Sequence, residues 1–487
     1  MQFTYVPLPT STSIRLLQIH AADQGSISAT LLTTELESAP SYDALSYTWG
    51  SPLSPYISGE SGRGATAQHT IIVKCGGESQ QLCIAENLKD ALIALHTINL
   101  ASISTARCAY LWVDAICINQ TDRKEKAVQV RFMERIYQHA SKVLAWLGPE
   151  DETTSHVFQV IDNLSKLGPE YYKSVTPEDV WRPQIHVEKL NIQALNYRHW
   201  LSWVAFLHRP YFGRVWIVQE NNLAKDIVLV CGNRAFTWSA MMSTMNFLVY
   251  TNWATLLYTE LMVSSNVLPE RSQLGIFAKL VESKVDSGQG AWNLFHGLNA
   301  TILTEKQWSL FSLLERYRYC ESSDPRDMIY ALIGVARKDI RPFNTQPQLL
   351  EVSYDMSVGL LYGRTAKAML LAWGDLSHLE QKEGAFMTKI KNLPSWVPDY
   401  SAQIMPESLL KRKPDCKWNA SRDFKWLPDT RPLDDPLLDV QGKFIGSVED
   451  MSMDPLDWNE DKNAEFWCTV CTVACGLSVP YPSFHNS

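Results

Sequence analysis

Three short strings hold most of the residues that could do chemistry: Tyr42-Asp-Ala-Leu-Ser-Tyr-Thr-Trp-Gly50, Leu111-Trp-Val-Asp-Ala-Ile-Cys-Ile-Asn-Gln120 and Arg209-Pro-Tyr-Phe-Gly-Arg-Val-Trp-Ile-Val-Gln-Glu220. The first two are apolar, β-rich runs that stop abruptly in small, polar or amide residues. A buried strand delivers a loop to the edge of an α/β sheet in this way, and ligand sites lie at that edge. Asp114, Asn119 and Gln120 would then present a carboxylate and two amides after a buried strand, a set able to fix a ligand by directional hydrogen bonds. The same groups can instead cap the backbone of their own turn. Trp49 and Trp112 each either stack on a flat ring or fill the core, and core is the commoner fate for a Trp inside a strand.

Other chemistry loses ground by absence. No Walker-type loop, G-x-G-x-x-G turn, G-x-S-x-G elbow or H-E-x-x-H occurs, which counts against kinase, dehydrogenase and common hydrolase readings. Cys468, Cys471 and Cys475 have thiolate spacing but no partner Cys or His pair nearby, and their i, i+3, i+7 positions suit an apolar helix stripe, so no metal site is expected.

The elements that must position these residues alternate. Strands are expected at Ile14–Ile19, Ser26–Leu32, Tyr42–Ser46, Thr70–Lys74, Leu111–Asp114, Lys142–Leu147 and Asp226–Val230. Helices are expected after Ala85-Glu-Asn, with Leu88, Leu92, Ile93 and Leu95 on one face. Another runs from Asp122 to about His139, with Val128, Phe132, Met133 and Ile136 on one face. This alternation predicts a largely parallel sheet with helices on its faces. Ser51–Gln68, rich in Gly, Ser and Pro, reads as an exposed excursion. Beyond residue 235 the pattern becomes helical, at Trp238–Met262, Trp308–Tyr319, Pro325–Val335 and Val358–Trp373. Asp324 reads as the cap of the third of these, and Gly334 as its end. Three parts are expected: 1–235 α/β, 236–390 mainly helical, and 391–487 extended or β with a strand near Leu437–Val448 and a short terminal helix.

A chain of 487 residues exceeds one ordinary core, and 46% hydrophobic with 20% charged residues can supply more than one. The net charge of -8 gives no general reason to bind nucleic acid. The first residues lack a basic segment followed by an apolar core, so a cytoplasmic location is expected, with the ten cysteines as thiols. Met241–Met262 is interrupted by Asn246, Asn252, Thr255, Thr259 and Glu260 and reads as a buried helix, so no membrane span is expected.

The three strings closely resemble the fungal heterokaryon-incompatibility (HET) domain. Phe3-Thr-Tyr-Val-Pro-Leu, Glu86-Asn-Leu-Lys-Asp-Ala-Leu, Ala145-Trp-Leu-Gly148, Ser323-Asp-Pro-Arg-Asp-Met-Ile-Tyr-Ala-Leu-Ile-Gly334 and Leu393-Pro-Ser-Trp-Val-Pro-Asp399 extend the likeness in order. Members of that family act in nonself recognition and trigger growth arrest or programmed cell death, which implies a partner protein and self-association. The alternatives are a non-enzymatic module that signals by assembly, or an accessory protein of a metabolic gene cluster.

The order Tyr42 to Tyr47, Leu111 to Asp114, Phe212 to Glu220 is also similar to the three boxes of TIR domains. That resemblance implies a flavodoxin-like fold and, for some members, NAD hydrolysis with a helix glutamate as essential carboxylate. Glu220 stands at that position, with Trp49, Asp114, Asn119, Gln120 and Trp216 as the implied substrate-binding residues, NAD as substrate and no cofactor. Cleavage of the nicotinamide–ribose bond passes through an oxocarbenium-like state that one carboxylate can stabilise without a metal. Ile-Val-Gln between Trp216 and Glu220 departs from the Cys-centred pair of TIR domains, and the boxes lie further apart. An ion pair with Arg214 or Lys225 is the structural alternative for Glu220.

Overall fold

The computed structural model describes residues 2–22, 26–53, 68–75, 77–98, 100, 107–258, 309–336, 351–373, 379, 389–402 and 434–438. Nine strands form one mixed sheet: β1 (Ser13–Ala22), β2 (Ile27–Glu35), β3 (Tyr42–Tyr47), β4 (Gln68–Cys75), β5 (Glu78–Ala85), β6 (Tyr110–Trp112), β7 (Val143–Trp146), β8 (Ile227–Cys231) and β9 (Arg234–Thr237). Their spatial order is β5-β4-β2-β1-β6-β3-β7-β8-β9. The centre is parallel, as expected: Ala44 of β3 lies opposite Trp112 of β6 and Val143 of β7, and Val143 lies opposite Ile227 of β8. Every residue of β3, β7 and β8 is buried, the condition under which strands read as continuous apolar runs.

Antiparallel partners flank this centre: β1 pairs with β2 and β6, β4 with β5, and β8 with β9. Two of these, β5 and β9, carry no clear signal in the sequence, because Glu78-Ser-Gln-Gln and Arg234-Ala-Phe-Thr are too polar or too short to stand out. In chain order the four central parallel strands β3, β6, β7 and β8 sit as 2-1-3-4. That is the flavodoxin-type winding, which places its crevice beside the first strand, between β3 and β7.

Alternation along β3 sends Tyr42, Ala44 and Ser46 to one face and Leu45 and Tyr47 to the other. Helices cover both. On the first face, α3 (Arg123–His139) accepts the Tyr42 hydroxyl at Ile136 O, 2.6 Å, and its Tyr137 meets Trp112 edge-on. On the second, α1 (Glu86–Thr97) reaches β7, where the Trp146 indole donates to Asn87 Oδ1 at 2.8 Å. The cap of α3 is Asp122, which accepts from the amides of Lys124 and Glu125. Its buried stripe is Gln129, Val130, Met133, Ile136 and Tyr137, whereas Val128 is exposed. Gln129 occupies that stripe because its amide donates to Ser13 O at 3.0 Å, a buried polar contact that an apolar count passes over.

Between β7 and β8 lie helices for which the sequence raises no expectation: α4 (Thr154–Leu164), α5 (Pro183–Leu190) and α6 (Tyr197–Leu207). Helix α7 (Trp216–Leu223) comes after them. After β9, the helical texture resolves into α8 (Trp238–Tyr250) and α9 (Trp253–Tyr258), broken at Asn252, whose φ is 59°. Then come α10 (Leu310–Arg316), α11 (Asp327–Ile333) and α12 (Val358–Trp373). Asp324 accepts from the Arg326 amide and pairs with the Arg326 guanidinium at 2.7 Å, so Arg326 finds its carboxylate within its own motif.

Helix α11 lies directly on α7. A Cβ at Gly334 would stand 2.7 Å from the Gln219 side chain, so the glycine permits the approach of the two helices. Among the described residues no helix is long and apolar enough to cross a membrane. Residues 54–67 of the Ser51–Gln68 excursion, the end of Met241–Met262, most of Leu437–Val448 and Cys468, Cys471 and Cys475 lie outside the described residues.

Candidate functional site

Three segments meet at the carboxyl edge of the parallel strands. They are the end of β3 with the turn to Trp49, the short helix α2 (Asp114–Cys117) after β6, and the stretch Arg214–Glu220 that leads into α7. Ser46 Oγ donates to Glu220 Oε2 and lies 3.0 Å from the Tyr211 hydroxyl. With its one hydrogen committed to the carboxylate, the serine accepts from the tyrosine. Arg214 reaches Glu220 with both terminal nitrogens, each at 3.3 Å, as a bidentate fork. Glu220 is 1% exposed. The pairing with Arg214 is thus present, whereas the Lys225 amine goes to His139 O.

Asp114 stands at the same place. Its Oδ1 accepts its neighbour's amide, Ala115 N, at 2.7 Å, and its Oδ2 accepts the Trp49 indole N–H at 2.9 Å. Burial pushes its carboxyl up to about 6, a rise that the Arg214 charge opposes and the Glu220 charge reinforces. At Arg214 burial works against the charge, but Glu220 and Asp114 outweigh it and raise its pKa. Buried phenols of Tyr47, Tyr137 and Tyr211 complete the surroundings, all held above their ordinary range chiefly by burial. Glu220 therefore pairs with the Arg214 guanidinium, and Asp114 stands near enough for its charge to act on both. Trp49, 45% exposed, is its link to solvent.

The other expected residues have different placements. Gln120 donates to Asp114 O at 3.0 Å and so fixes the backbone of the acid. Asn119 ties its own turn, accepting from the Thr121 amide and hydroxyl at 3.2 and 2.8 Å, while its own amide donates to Glu125 at 2.8 Å. Glu125 is half of a buried ion pair with Arg15, 2.6 Å, and Arg15 also holds Cys117 O at 3.0 Å. The loop after β6 is thereby pinned to β1. Trp216 is engaged elsewhere: its indole donates to Asp327 at 3.1 Å, and Asp327 accepts the Tyr354 hydroxyl at 2.8 Å. Trp112 is fully buried.

Sequence reasoning missed Tyr137 and Tyr211, since an aromatic at helical or turn spacing reads as core. It also missed two polar anchors. Asn87 joins the turn after β3 to the end of β7, donating to Thr48 O at 2.6 Å and accepting from Trp146. Arg209, buried, donates to Leu147 O at 2.7 Å and pairs with Asp151 at 2.8 Å, holding the loop beyond β7. The signal available for Arg209 was a cation inside an otherwise aromatic string, Arg209-Pro-Tyr-Phe. Among the described residues, no group of three or more metal-ligating side chains converges.

Comparison with known proteins agrees with this frame. Residues 42–220 match the family described as heterokaryon incompatibility protein (HET). The chain is similar to heterokaryon incompatibility protein 6, OR allele, of Neurospora crassa, 25% identical over 498 aligned residues that cover 91% of this chain and 65% of that protein. The chain thus spans about two thirds of its relative's length. No solved structure matches the chain. The segment carrying all three strings, residues 42–220, belongs to the heterokaryon incompatibility (HET) family.

Proposed function

We propose that this protein acts in heterokaryon incompatibility, where it converts recognition of a nonself partner protein into growth arrest or cell death, and that it does so by cleaving NAD. The first half of the reading rests on the similarity to an incompatibility protein over most of the chain. The second rests on one observation: Glu220 pairs with Arg214 at the carboxyl edge of the sheet, and Asp114, delivered by a different element, lies near enough for its charge to act on the same guanidinium.

The chemistry asked of them is simple. The C1′–N bond of nicotinamide riboside breaks, its electron pair goes to the ring nitrogen, and neutral nicotinamide leaves. Water then adds to C1′ and loses a proton. Two carboxylates against one guanidinium leave a net negative charge where the ribose becomes cationic. Asp114, pushed up to about 6, is suited to take the water proton near neutral pH. The exposed Trp49 indole offers a face to the cationic ring before it leaves. Glu220 would stabilise the ribose cation from the Ser46 side.

A second reading has its own support. Both Glu220 oxygens are engaged by Arg214 and one also by Ser46, the arrangement expected of a carboxylate that only braces the fold. In that case the module signals by self-association without chemistry. Nicotinamide release by purified protein at high concentration separates the readings. The catalytic reading expects wild-type turnover, with Asp114→Asn and Glu220→Gln each lowering it about 100-fold or more and both abolishing killing on expression. No turnover in the wild type, with killing intact, discards it.

A further inference from the structure

A cavity lies on the α1 side of the sheet. It is a cleft of about 500 Å³ between α1 and the turns after β7 and β8, lined by Lys89, Asp90, Ile93, Trp146, Glu150 and Asn233 among others. It opens at the carboxyl ends of β7 and β8, the edge of a parallel sheet where ligands bind, one strand over from the switch point between β3 and β7. Asn87 ties the cleft to the cluster. One end of its amide holds Thr48 O, directly before Trp49 in the chain, and the other accepts from Trp146, a wall of the cleft. Asn87 is thus a shared anchor of the turn that carries Trp49 and of a wall of the cleft.

We propose that this cleft binds the adenosine portion of a nucleotide whose other end enters the Trp49–Asp114–Glu220 cluster. The proposal rests on the NAD reading and gives that reading its second subsite. The walls supply what a nucleoside needs. Ile93 and Pro149 present an apolar surface against which a purine packs, with the buried Ala94 and Trp146 behind it. The carboxylates of Asp90 and Glu150 can accept the two hydroxyls of a ribose, the task an acidic residue performs in dinucleotide folds. Lys89 places a positive charge at the rim for a phosphate. The volume falls within the range of pockets that hold molecules of this size. Desolvation at this site also raises the Asp90 carboxyl above its usual range, with the Glu86 charge adding to it.

The backbone around the cleft is set for close packing rather than left open by chance. Gly148, at a φ of 102°, turns the chain after β7 in a conformation that L side chains rarely adopt, and a Cβ there would stand 2.6 Å from Pro52. Gly232 N donates to Gly148 O at 2.9 Å, which locks the two turns together, and the Asn233 amide donates to Glu150 Oε1 at 3.2 Å. Glu150 is thus fixed in place before any ligand arrives.

Calorimetric titration of the full chain with AMP, ADP-ribose and nicotinamide mononucleotide tests the assignment. The variants are Asn233→Trp, which fills the cleft from an exposed turn, and Lys89→Glu, which reverses the rim charge. Circular dichroism checks that each is folded. The expected result is that AMP and ADP-ribose bind the wild type, that either variant weakens both at least tenfold, and that nicotinamide mononucleotide binds all three proteins equally. Glu220→Gln should bind AMP as the wild type does. Failure of AMP to bind the wild type, or equal binding to a folded Asn233→Trp protein, overturns the proposal. Its fate separates from that of the NAD reading. AMP binding without nicotinamide release keeps the cleft and removes the chemistry, whereas nicotinamide release that AMP does not inhibit keeps the chemistry and removes the cleft.

Discussion

Asp114 is the residue on which a protonation measurement bears most directly. Its folded carboxyl is pushed up to about 6 from an ordinary value of 3.8, mainly by burial. A raised carboxyl pKa means the folded chain holds a proton that the unfolded chain has released. Asp114 therefore costs stability as pH rises through the window from about 4 to about 6, and the cost is complete above it. The magnitude is on the order of 2–3 kcal/mol. Asp114→Asn removes this cost. The melting temperature of the variant relative to wild type should rise between about pH 4 and about pH 7, a difference that thermal melts at fixed ionic strength can read. A difference independent of pH would mean that the carboxyl titrates as it does in water. The sequence points to Asp114 through the run that precedes it, but which of its two roles applies depends on Trp49, 65 residues away in the chain, and no local pattern carries that pairing.

At the scale of elements, the third string is held by segments from the C-terminal half of the chain. The amide of Val215 donates to Glu321 O at 3.0 Å, and the amide of Glu321 donates to Gly213 O at 2.7 Å. The Trp216 indole reaches Asp327 on α11, and Gly334 admits Gln219. The stretch that carries both Arg214 and Glu220 is accordingly clamped along one side. Gly334→Ala should destabilise by about 1–2 kcal/mol, because overpacking against the buried Gln219 outweighs the helix preference for alanine. Chemical denaturation measures it, and pairing with Gln219→Ala should reverse its sign. Much of this level is legible. The β3, β6 and β7 strands and α3 announce themselves by apolar runs and a capping Asp122, and Gly334 reads as a helix end. The structure gives that glycine an additional reason, the contact between helices, which a search for caps does not see. Residues 154–207 give no clear pattern because their three helices are short and interrupted by Pro, Asn and Gly.

For the molecule as a whole, the parallel centre is expected from alternating strand and helix signals, whereas the antiparallel flanks are not, since which strands neighbour each other is decided by packing over long separations. The consequence concerns inheritance. The family match runs from residue 42 to residue 220, yet its first and last residues are not places where the chain can be cut. Removal of residues 1–41 takes Arg15 from Glu125 and leaves that carboxylate buried without its partner, at a cost of about 3–5 kcal/mol. Removal of everything after 220 ends the chain inside α7, takes β8 from the side of β7, and bares a strand edge that was wholly buried. A 42–220 fragment should therefore be recovered as aggregate, whereas the full chain should elute as a defined species in size-exclusion chromatography. A soluble, cooperatively melting fragment would contradict this. What is recognisable as a family segment and what can travel between genes as a working part are then different lengths of chain. Any natural fusion that borrows this domain has to bring along β1 and β8, or supply substitutes for them from its own sequence.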